Sequence, residues 1–366
     1  MSAVRSRPTP RKLPSLIRRD FFYKNMKPKV SIVILNYNTR HFLEKFLPGV
    51  METDYENFEV VVSDNASTDD SVEYVRTHYP SVTVISLDKN FGFAGGYNRS
   101  LKNINADYYV LLNSDVEVPK NWLKPLVELA ESDINIAAIQ PKLLDYKDKT
   151  KFEYAGGCGG FMDKYGYPFC RGRWFNHLET DSGQYNETRE IFWATGACIL
   201  IRSEYWLKMG GLDEDFFAHM EEIDLCWRLK NAGYKIMACP QSEVYHVGGG
   251  TLPVGNPKKT YLNFRNGLFL LCKNLHGSVL FKTLFIRFLL DGLAGIKFLT
   301  EFKFREIGAI LKAHFTFYSH LGYWLNKRKH IQAQSKNLNG MYQKSMVFDF
   351  YLKGKRRFSE LSSDFF

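Results

Sequence analysis

The sequence has no C-x-x-C pair and no compact Cys/His cluster. Its six cysteines, Cys158, Cys170, Cys198, Cys226, Cys239 and Cys272, are scattered, which argues against a structural zinc site or a small disulfide scaffold and suits a reducing, cytosolic setting. No G-x-x-x-x-G-K-[ST] occurs, and no G-x-G-x-x-G follows the first apolar strand, so P-loop and hydride-transfer chemistry both lose their main signal. The first 25 residues lack the apolar core of a secretory signal. Being basic, they are expected to form a disordered arm, or to precede an internal start at Met26. Finally, no long apolar run is free of charge: residues 278–299 would reach across a bilayer, but Lys282, Arg287, Asp291 and Lys297 interrupt them.

What the chain does have is apolar material for a sizeable core, at 45% hydrophobic and 15% aromatic over 366 residues. Its net charge of +10 is unevenly placed: residues 1–29 carry +8 and residues 278–366 carry +9, leaving −7 on the middle. An acidic middle without a recognisable nucleic-acid module argues against a nucleic-acid partner, which only the basic ends would suggest.

The acidic middle begins with an alternation of strand and helix. Residues 30–35 (VSIVIL) form an apolar, β-branched run of the kind buried on both faces of a sheet. A helical pattern follows over 40–51, then a strand at 58–63, a helix at 71–77 and a strand at 82–87. A Gly-rich stretch leads into a helix over about 95–104, and a strand runs from 108 to 113. This order predicts an α/β fold with a Rossmann-like, mostly parallel sheet flanked by helices. Ligands of such sheets sit beyond the carboxyl ends of the strands. Here those ends read Asn36-Tyr37-Asn38, Asp64-Asn65-Ala66-Ser67, Asn90 through Asn98, and Asn113-Ser114-Asp115. Each is also an ordinary turn sequence; four in register point to a nucleotide site.

Asp64 is placed to accept from a ribose hydroxyl or a base N–H, with an Asx-turn as the alternative. Gly92, Gly95 and Gly96 permit close backbone approach, with amides at a helix N-terminus facing an anion. Asp115 is a candidate ligand for Mg²⁺ or Mn²⁺ between phosphates. Its alternative is a helix cap, although Pro119 and Asn121 can start the next helix themselves. Far along the chain, Glu221-Glu222-Ile223-Asp224 opens a helix in which Asp224 and Arg228 form an i, i+4 ion pair. The helix dipole should favour ionised Glu221 and Glu222, the state of a general base, and spacing does not rank the two. His246, before a glycine run, is either a structural histidine or part of a phosphate site.

In this order these segments, with Gly210-Gly211-Leu212-Asp213-Glu214-Asp215-Phe216-Phe217, resemble the inverting family-two glycosyltransferases, most of all the rhamnosyltransferase-like branch, over residues 29 to 275. The resemblance implies a type A glycosyltransferase fold holding a nucleotide-diphospho-sugar, dTDP-L-rhamnose before uridine-diphospho-hexoses. Nucleotide-sugar contacts then fall on Asn36, Asp64, Asn65, Ser67, Asn90, Gly92, Ala94, Gly95, Asn98, Asn113 and Ser114. Asp115 and His246 match the metal and diphosphate ligands; Trp193, Thr195, Gly196 and Asp213 match the sugar and acceptor pocket. Glu222, beside Glu221, matches the base. Two positions depart from the family: Asn113 replaces the first aspartate of the D-x-D element, and Glu-Glu stands where Glu-Asp is usual. A sugar-nucleotide-binding chain without turnover is therefore the alternative. The acceptor implied is a growing surface glycan or its lipid-linked precursor.

Three segments result: a basic arm (1–28), a catalytic domain (29–277) and a basic, helical C-terminal region (278–366). In a helix over 278–299, Lys282, Thr283, Arg287, Asp291 and Lys297 share one half of the wheel and the other half is apolar. With Lys327-Arg328-Lys329 beyond it, this pattern predicts peripheral attachment to the cytoplasmic face of a membrane. Packing on the catalytic domain or across a homo-oligomer interface, with the charges in water, is the alternative.

Overall fold

A computed structural model describes residues 27–248, 256–329 and 337–366. Residues 1–26 of the expected basic arm, and Gly249 and Gly250 of the glycine run after His246, lie outside the described residues.

The expected alternation is present. Strands β1 (Val30–Asn36), β2 (Phe58–Asp64), β3 (Thr83–Ser86) and β4 (Tyr108–Asn113) alternate with helices α1 (Arg40–Met51), α2 (Ser71–His78) and α3 (Gly92–Leu101). Helix α3 starts three residues earlier than its sequence pattern predicts, because the Asn90 side chain accepts the Gly92 N–H (2.8 Å) and turns the chain in at once. The chain continues through β5 (Val116–Glu117), α4 (Leu123–Ser132) and β6 (Ile136–Asp145). An excursion of short strands follows: β7 (Gly160–Asp163), β8 (Pro168–Cys170), β9 (Arg173–Trp174) and β10 (His177–Leu178). Then come β11 (Arg189–Ile191), β12 (Cys198–Arg202), α5 (Ser203–Met209), α6 (Glu221–Asn231) and β13 (Lys235–His246).

The main sheet has the order β11-β13-β6-β12-β4-β1-β2-β3, with β5 added to β13. Strands β3, β2, β1 and β4 are all parallel, whereas β12 enters antiparallel between β4 and β6. From β1 the chain moves outward to β2 and β3, then crosses back to place β4 on the other side of β1. That reversal opens a crevice at the carboxyl ends of β1 and β4. Both faces of β1 are buried: Val30, Ile32 and Ile34 join one apolar cluster with Leu43 and Leu126, and Val33 joins the other with Tyr97 and Leu101. Burial on both faces is why β1 reads as an unbroken apolar run, and each such side chain contributes about 1.5–3 kcal/mol.

The C-terminal region is helical over α7 (Pro257–Asn274), α8 (Gly277–Thr300), α9 (Phe304–Ser319) and α10 (Leu321–Lys329). The tail then returns to the domain as β14 (Met341–Tyr342) and α11 (Met346–Tyr351), and β14 pairs in parallel with β7 to complete a second sheet, β10-β9-β8-β7-β14. Phe358 and Phe366 pack on Phe161 with ring centroids 4.5 and 5.3 Å apart.

Helix α8 has the predicted amphipathic pattern, oriented with part of its polar half inward. Arg287 and Asp291 are buried and paired (Nε to Oδ1, 2.8 Å). The Tyr167 hydroxyl donates to Asp291 at 2.9 Å, His314 Nε2 lies 3.1 Å from it, and Arg287 donates to the Tyr165 and Gly166 carbonyls. The opposite half points outward, with Phe281 76% and Phe285 64% exposed and Leu289, Leu293 and Ile296 beside them. Among the described residues no helix is long and apolar enough to cross a membrane.

Asp291→Ala would leave the Arg287 guanidinium buried without its counter-charge, an expected loss of about 3–5 kcal/mol in urea unfolding. Replacing the pair together, Arg287→Met with Asp291→Leu, is expected to cost much less in the same measurement.

Candidate active site

The parallel register brings the strand ends level: Asn36 lies opposite Asp64, and Leu35 opposite Asn113. Asn36 Nδ2 donates to Asp64 Oδ1 (2.8 Å) and to Ser67 Oγ (3.0 Å), while the Ser67 N–H donates to Asp64 Oδ2 (3.0 Å). Asp64 therefore does make the turn that its sequence allows. Each carboxylate oxygen keeps a second lone pair for a ligand. The Thr39 hydroxyl ties this end of β1 to that of β4, donating to Asn36 Oδ1 (2.5 Å) and lying 3.0 Å from Ser114 Oγ.

Other predicted contacts act inside the protein. Asn65 braces the loop after β3: its Nδ2 donates to Asn90 Oδ1 and to the Gly92 carbonyl, and its Oδ1 accepts the Phe91 N–H. Asn98 bonds both ways with the Leu212 backbone. Ala94 and Gly95 are buried in α3. A Cβ at Gly95 would come within 2.9 Å of Phe91, and one at Gly96 within 2.7 Å of Leu35. Gly96 thus sets how closely α3 lies on β1, while Gly95 makes room for Phe91 and Arg99.

Asp115 and His246 meet through backbone pairing. His246 lies opposite Val116 in the β13–β5 ladder, and the Val247 N–H donates to the Asp115 carbonyl (3.0 Å). This leaves His246 Nε2 3.1 Å from Asp115 Oδ1, both residues buried. On the other side His246 Nδ1 is 3.2 Å from Glu153 Oε1. Burial opposes the imidazolium, but the two carboxylates outweigh it and raise the pKa of His246 to about 10. Among the described residues no three His, Cys, Asp or Glu form a ready cage for a metal ion. A cation that displaces the Nε2 proton would find one oxygen and one nitrogen donor here, with Glu153 orienting the ring, and would take its remaining ligands from a diphosphate.

The glutamate pair follows a loop in which Phe217, His219 and Met220 all adopt left-handed φ values (67°, 68° and 77°). Three such non-glycine residues store strain, of a kind that clusters at functional sites. Asn266 Nδ2, from α7, holds the loop by donating to the Phe216, Ala218 and His219 carbonyls (3.0, 2.9 and 2.7 Å), and Arg265 donates to the Phe216 carbonyl at 2.9 Å. Glu221 is buried and Glu222 partly so, and Oε2 of each has no hydrogen-bond partner among the described residues. Burial lifts the pKa of Glu222 to about 7. Glu221 rises well above the carboxylate range, through burial and then the neighbouring Glu222 charge. Desolvation thus outweighs the helix dipole from which ionised glutamates were expected.

The loop before β12 joins the two halves. The Asn113 N–H donates to the Ala197 carbonyl (2.9 Å), and a Cβ on Gly196 would sit 3.9 Å from that of Glu222. Within this loop Trp193 turns into the core, its indole N–H donating to the Phe161 carbonyl, and the Thr195 N–H donates to Gln140. Asp213 accepts from Lys273 (2.5 Å) and Lys327 (2.6 Å). The expected Asp224–Arg228 pair is present at 2.7 Å, and Lys273 and Asn274 also bind Asp224. Sequence reasoning passed over Glu153, which stands in an irregular loop, and Thr39. It also passed over Asn266, whose one available signal is an amide in mid-helix, where asparagine is unfavourable.

Residues 31–207 match the model for Glycosyl transferase family 2. They include the strand ends and Asp115, whereas the glutamate pair and His246 lie beyond them. Over 237 residues the chain is 25% identical to the N-acetylglucosaminyl-diphospho-decaprenol L-rhamnosyltransferase of Mycobacterium tuberculosis, covering 60% of this chain and 76% of the relative. It is 24% identical over 226 residues to the rhamnosyltransferase WbbL of Escherichia coli, covering 59% and 83%. Over 252 residues it is 24% identical to the low-salt glycan biosynthesis hexosyltransferase Agl10 of Haloferax volcanii, covering 66% and 75%. A crystal structure of GalNAc-T7 with UDP, GalNAc and Mn2+ shares the fold, with a TM-score of 0.53 at 17% identity over 68% of this chain and 48% of that one. With this family match over residues 31–207, just under half of the chain, and these relatives over most of its described domain, the chain is similar to glycosyl transferase family 2 and is a glycosyltransferase of type A fold.

Proposed function

We propose that this glycosyltransferase moves a sugar from a nucleotide-diphospho-sugar, dTDP-L-rhamnose, to a hydroxyl of a glycan or lipid-linked glycan, inverting the anomeric centre. The observation that carries the reading is the loop before β12. At one end it bonds the strand end that leads to Asp115, and beside it stands Glu222, a carboxylate with a pKa of about 7 and an unpartnered oxygen. Rhamnose as the sugar, and a lipid-linked acceptor, are supported by the names of the Mycobacterium and Escherichia relatives.

Asn36, Asp64 and Ser67 hold the nucleoside end at the tips of β1 and β2. Asp115 and His246 would hold a divalent cation, Mg²⁺ or Mn²⁺, which supplies positive charge to the diphosphate. Asn113, lacking the charge of the usual aspartate, leaves that task to Asp115. Glu222 takes the proton from the acceptor hydroxyl as its oxygen attacks the anomeric carbon and the bond to the diphosphate breaks. One carboxylate suffices, since the nucleotide leaves as an anion and needs no second proton donor.

We extend this proposal to peripheral attachment at the cytoplasmic face of a membrane, which the surface of the C-terminal helices supports. The exposed Phe281, Phe285, Leu289, Leu293 and Ile296 stripe is flanked by the exposed basic residues Lys282, Lys297, Arg305 and Lys312, a combination suited to an anionic bilayer surface. All six cysteines are buried and unbridged, consistent with a reducing compartment.

Glu222→Gln is expected to lower kcat by about 10²–10⁴-fold while leaving donor affinity nearly unchanged, measured by turnover and calorimetry; unchanged turnover would exclude Glu222 as the base. Wild-type kcat should rise with pH through about 7 and level off above it, as Glu222 ionises. Because its folded pKa lies above the ordinary 4.5, the folded state gains protons relative to the unfolded chain, so stability falls as pH rises from about 4.5 to about 7. Glu222→Gln should remove that loss and unfold at higher urea at pH 8 than wild type. In a thermal-shift panel with Mn²⁺ or Mg²⁺, dTDP-L-rhamnose should raise Tm more than uridine-diphospho-hexoses.

Vesicles containing phosphatidylglycerol should co-sediment the wild-type protein, and Phe281→Ser with Phe285→Ser should release it. A full-length protein that stays in the supernatant, or that forms a dimer lost in the same variant, would overturn the membrane reading.

A further inference from the structure

A cavity of about 220 Å³ lies away from the strand ends, where the edge strand β11 meets the returning tail, lined by Arg171, Glu187, Arg189, Ser359 and Ser363 among others. Arg189 pairs with Ala238, eight residues before His246 on β13, so this space is separate from the Asp115–His246 site. Arg171 is 1% exposed. Its Nε donates to the Cys158 carbonyl (2.7 Å), but Nη1 is buried with no hydrogen-bond partner among the described residues. Arg189 reaches the same space, its guanidinium resting near the rings of Phe161, Phe358 and Phe366. The carboxylate lining the cavity, Glu187, is 3.8 Å from Nη1 of each arginine, beyond hydrogen-bond reach, and its side chain is 69% exposed. Two guanidiniums therefore share Glu187 as a loosely held counter-charge; Phe366 also lines the cavity, and its main-chain carboxylate is not within ion-pair distance of either among the described residues. A buried N–H of a permanent cation left without an acceptor is costly, and an oxyanion is the group that satisfies it.

We propose that this cavity is a second ligand site, taking a phosphoryl group whose oxygens accept from Arg171 Nη1 and from Arg189, with the Ser359 and Ser363 hydroxyls on its tail-side wall. The phosphoryl group comes either as free phosphate or attached to a sugar, and the cavity has room for more than the bare ion. Since Ser359, Ser363, Phe358 and Phe366 form one wall, filling the site also fastens the C-terminal tail to β11.

The test is calorimetric titration of the full-length protein with inorganic phosphate and, separately, with glucose 6-phosphate, at ionic strength matched with chloride. Arg189→Gln, at a part-exposed edge position, is expected to weaken the site's phosphate affinity by about tenfold or more, as loss of a charge-assisted hydrogen bond does. Glu187→Gln, which removes the competing carboxylate, should tighten it, an effect that a merely structural arginine pair would not give. Tighter binding of glucose 6-phosphate than of phosphate would assign the sugar-borne form, and the reverse the free ion. Phosphate bound at the strand ends would be unaffected by either substitution. No heat with either probe, or equal affinity in wild type, Arg189→Gln and Glu187→Gln, would overturn the proposal.

Discussion

Much of the molecule is organised around one buried carboxylate. Asp224 has no exposed surface, and it is bound by Arg228 one turn along its own helix and by Lys273 and Asn274 of α7. Lys273 continues to Asp213, which also accepts from Lys327 of α10, and Lys327 reaches Asp215 as well. This chain of charges fastens the C-terminal helices to the catalytic sheet just after the left-handed loop and the glutamate pair. Such networks add little net stability over an apolar core, but each single partner is expensive to lose. Their effect is to leave one arrangement of α6, α7 and α10 acceptable. Residues beside the glutamate pair are thereby tied to residues far along the sequence.

The same region carries most of the molecule's local disfavour. Two adjacent glutamates are sunk at the start of α6, and three side chains sit in the left-handed region ahead of them. Asn266, with three carbonyls on one amide nitrogen, offsets that strain from the neighbouring helix. A relaxed loop and solvated glutamates would make a more stable protein and, on the proposed mechanism, a poorer base, the usual opposition of stability and activity.

The parts legible in the sequence were those governed by short-range rules. The run at residues 30–35 could be read as a strand because its burial on both faces makes it continuously apolar, and the polar residues after β1, β2 and β4 marked where those strands end. The Asp224–Arg228 pair was legible from helical spacing alone. What was hidden depended on contacts between distant segments. No pattern announced that Glu153 would stand behind His246, that β12 would enter antiparallel beside β4, or that the tail would supply β14. The orientation of α8 was half visible: its two halves were plain on a helical wheel, but a wheel does not say which half the protein covers. The buried Arg287–Asp291 pair decides it, and the apolar stripe is left outside.

The pairing of Met341 with Met162 has a consequence for how the protein is made. The small sheet cannot close until the last few dozen residues have left the ribosome, since β7 waits for a partner some 180 positions further on. At about 5–20 residues per second, seconds pass between synthesis of the two strands. During the last of them α8 has already emerged with its apolar stripe uncovered. Synthesis order therefore presents this surface before the small sheet closes, and closing the sheet does not cover it, so a finished chain carries the same exposed stripe.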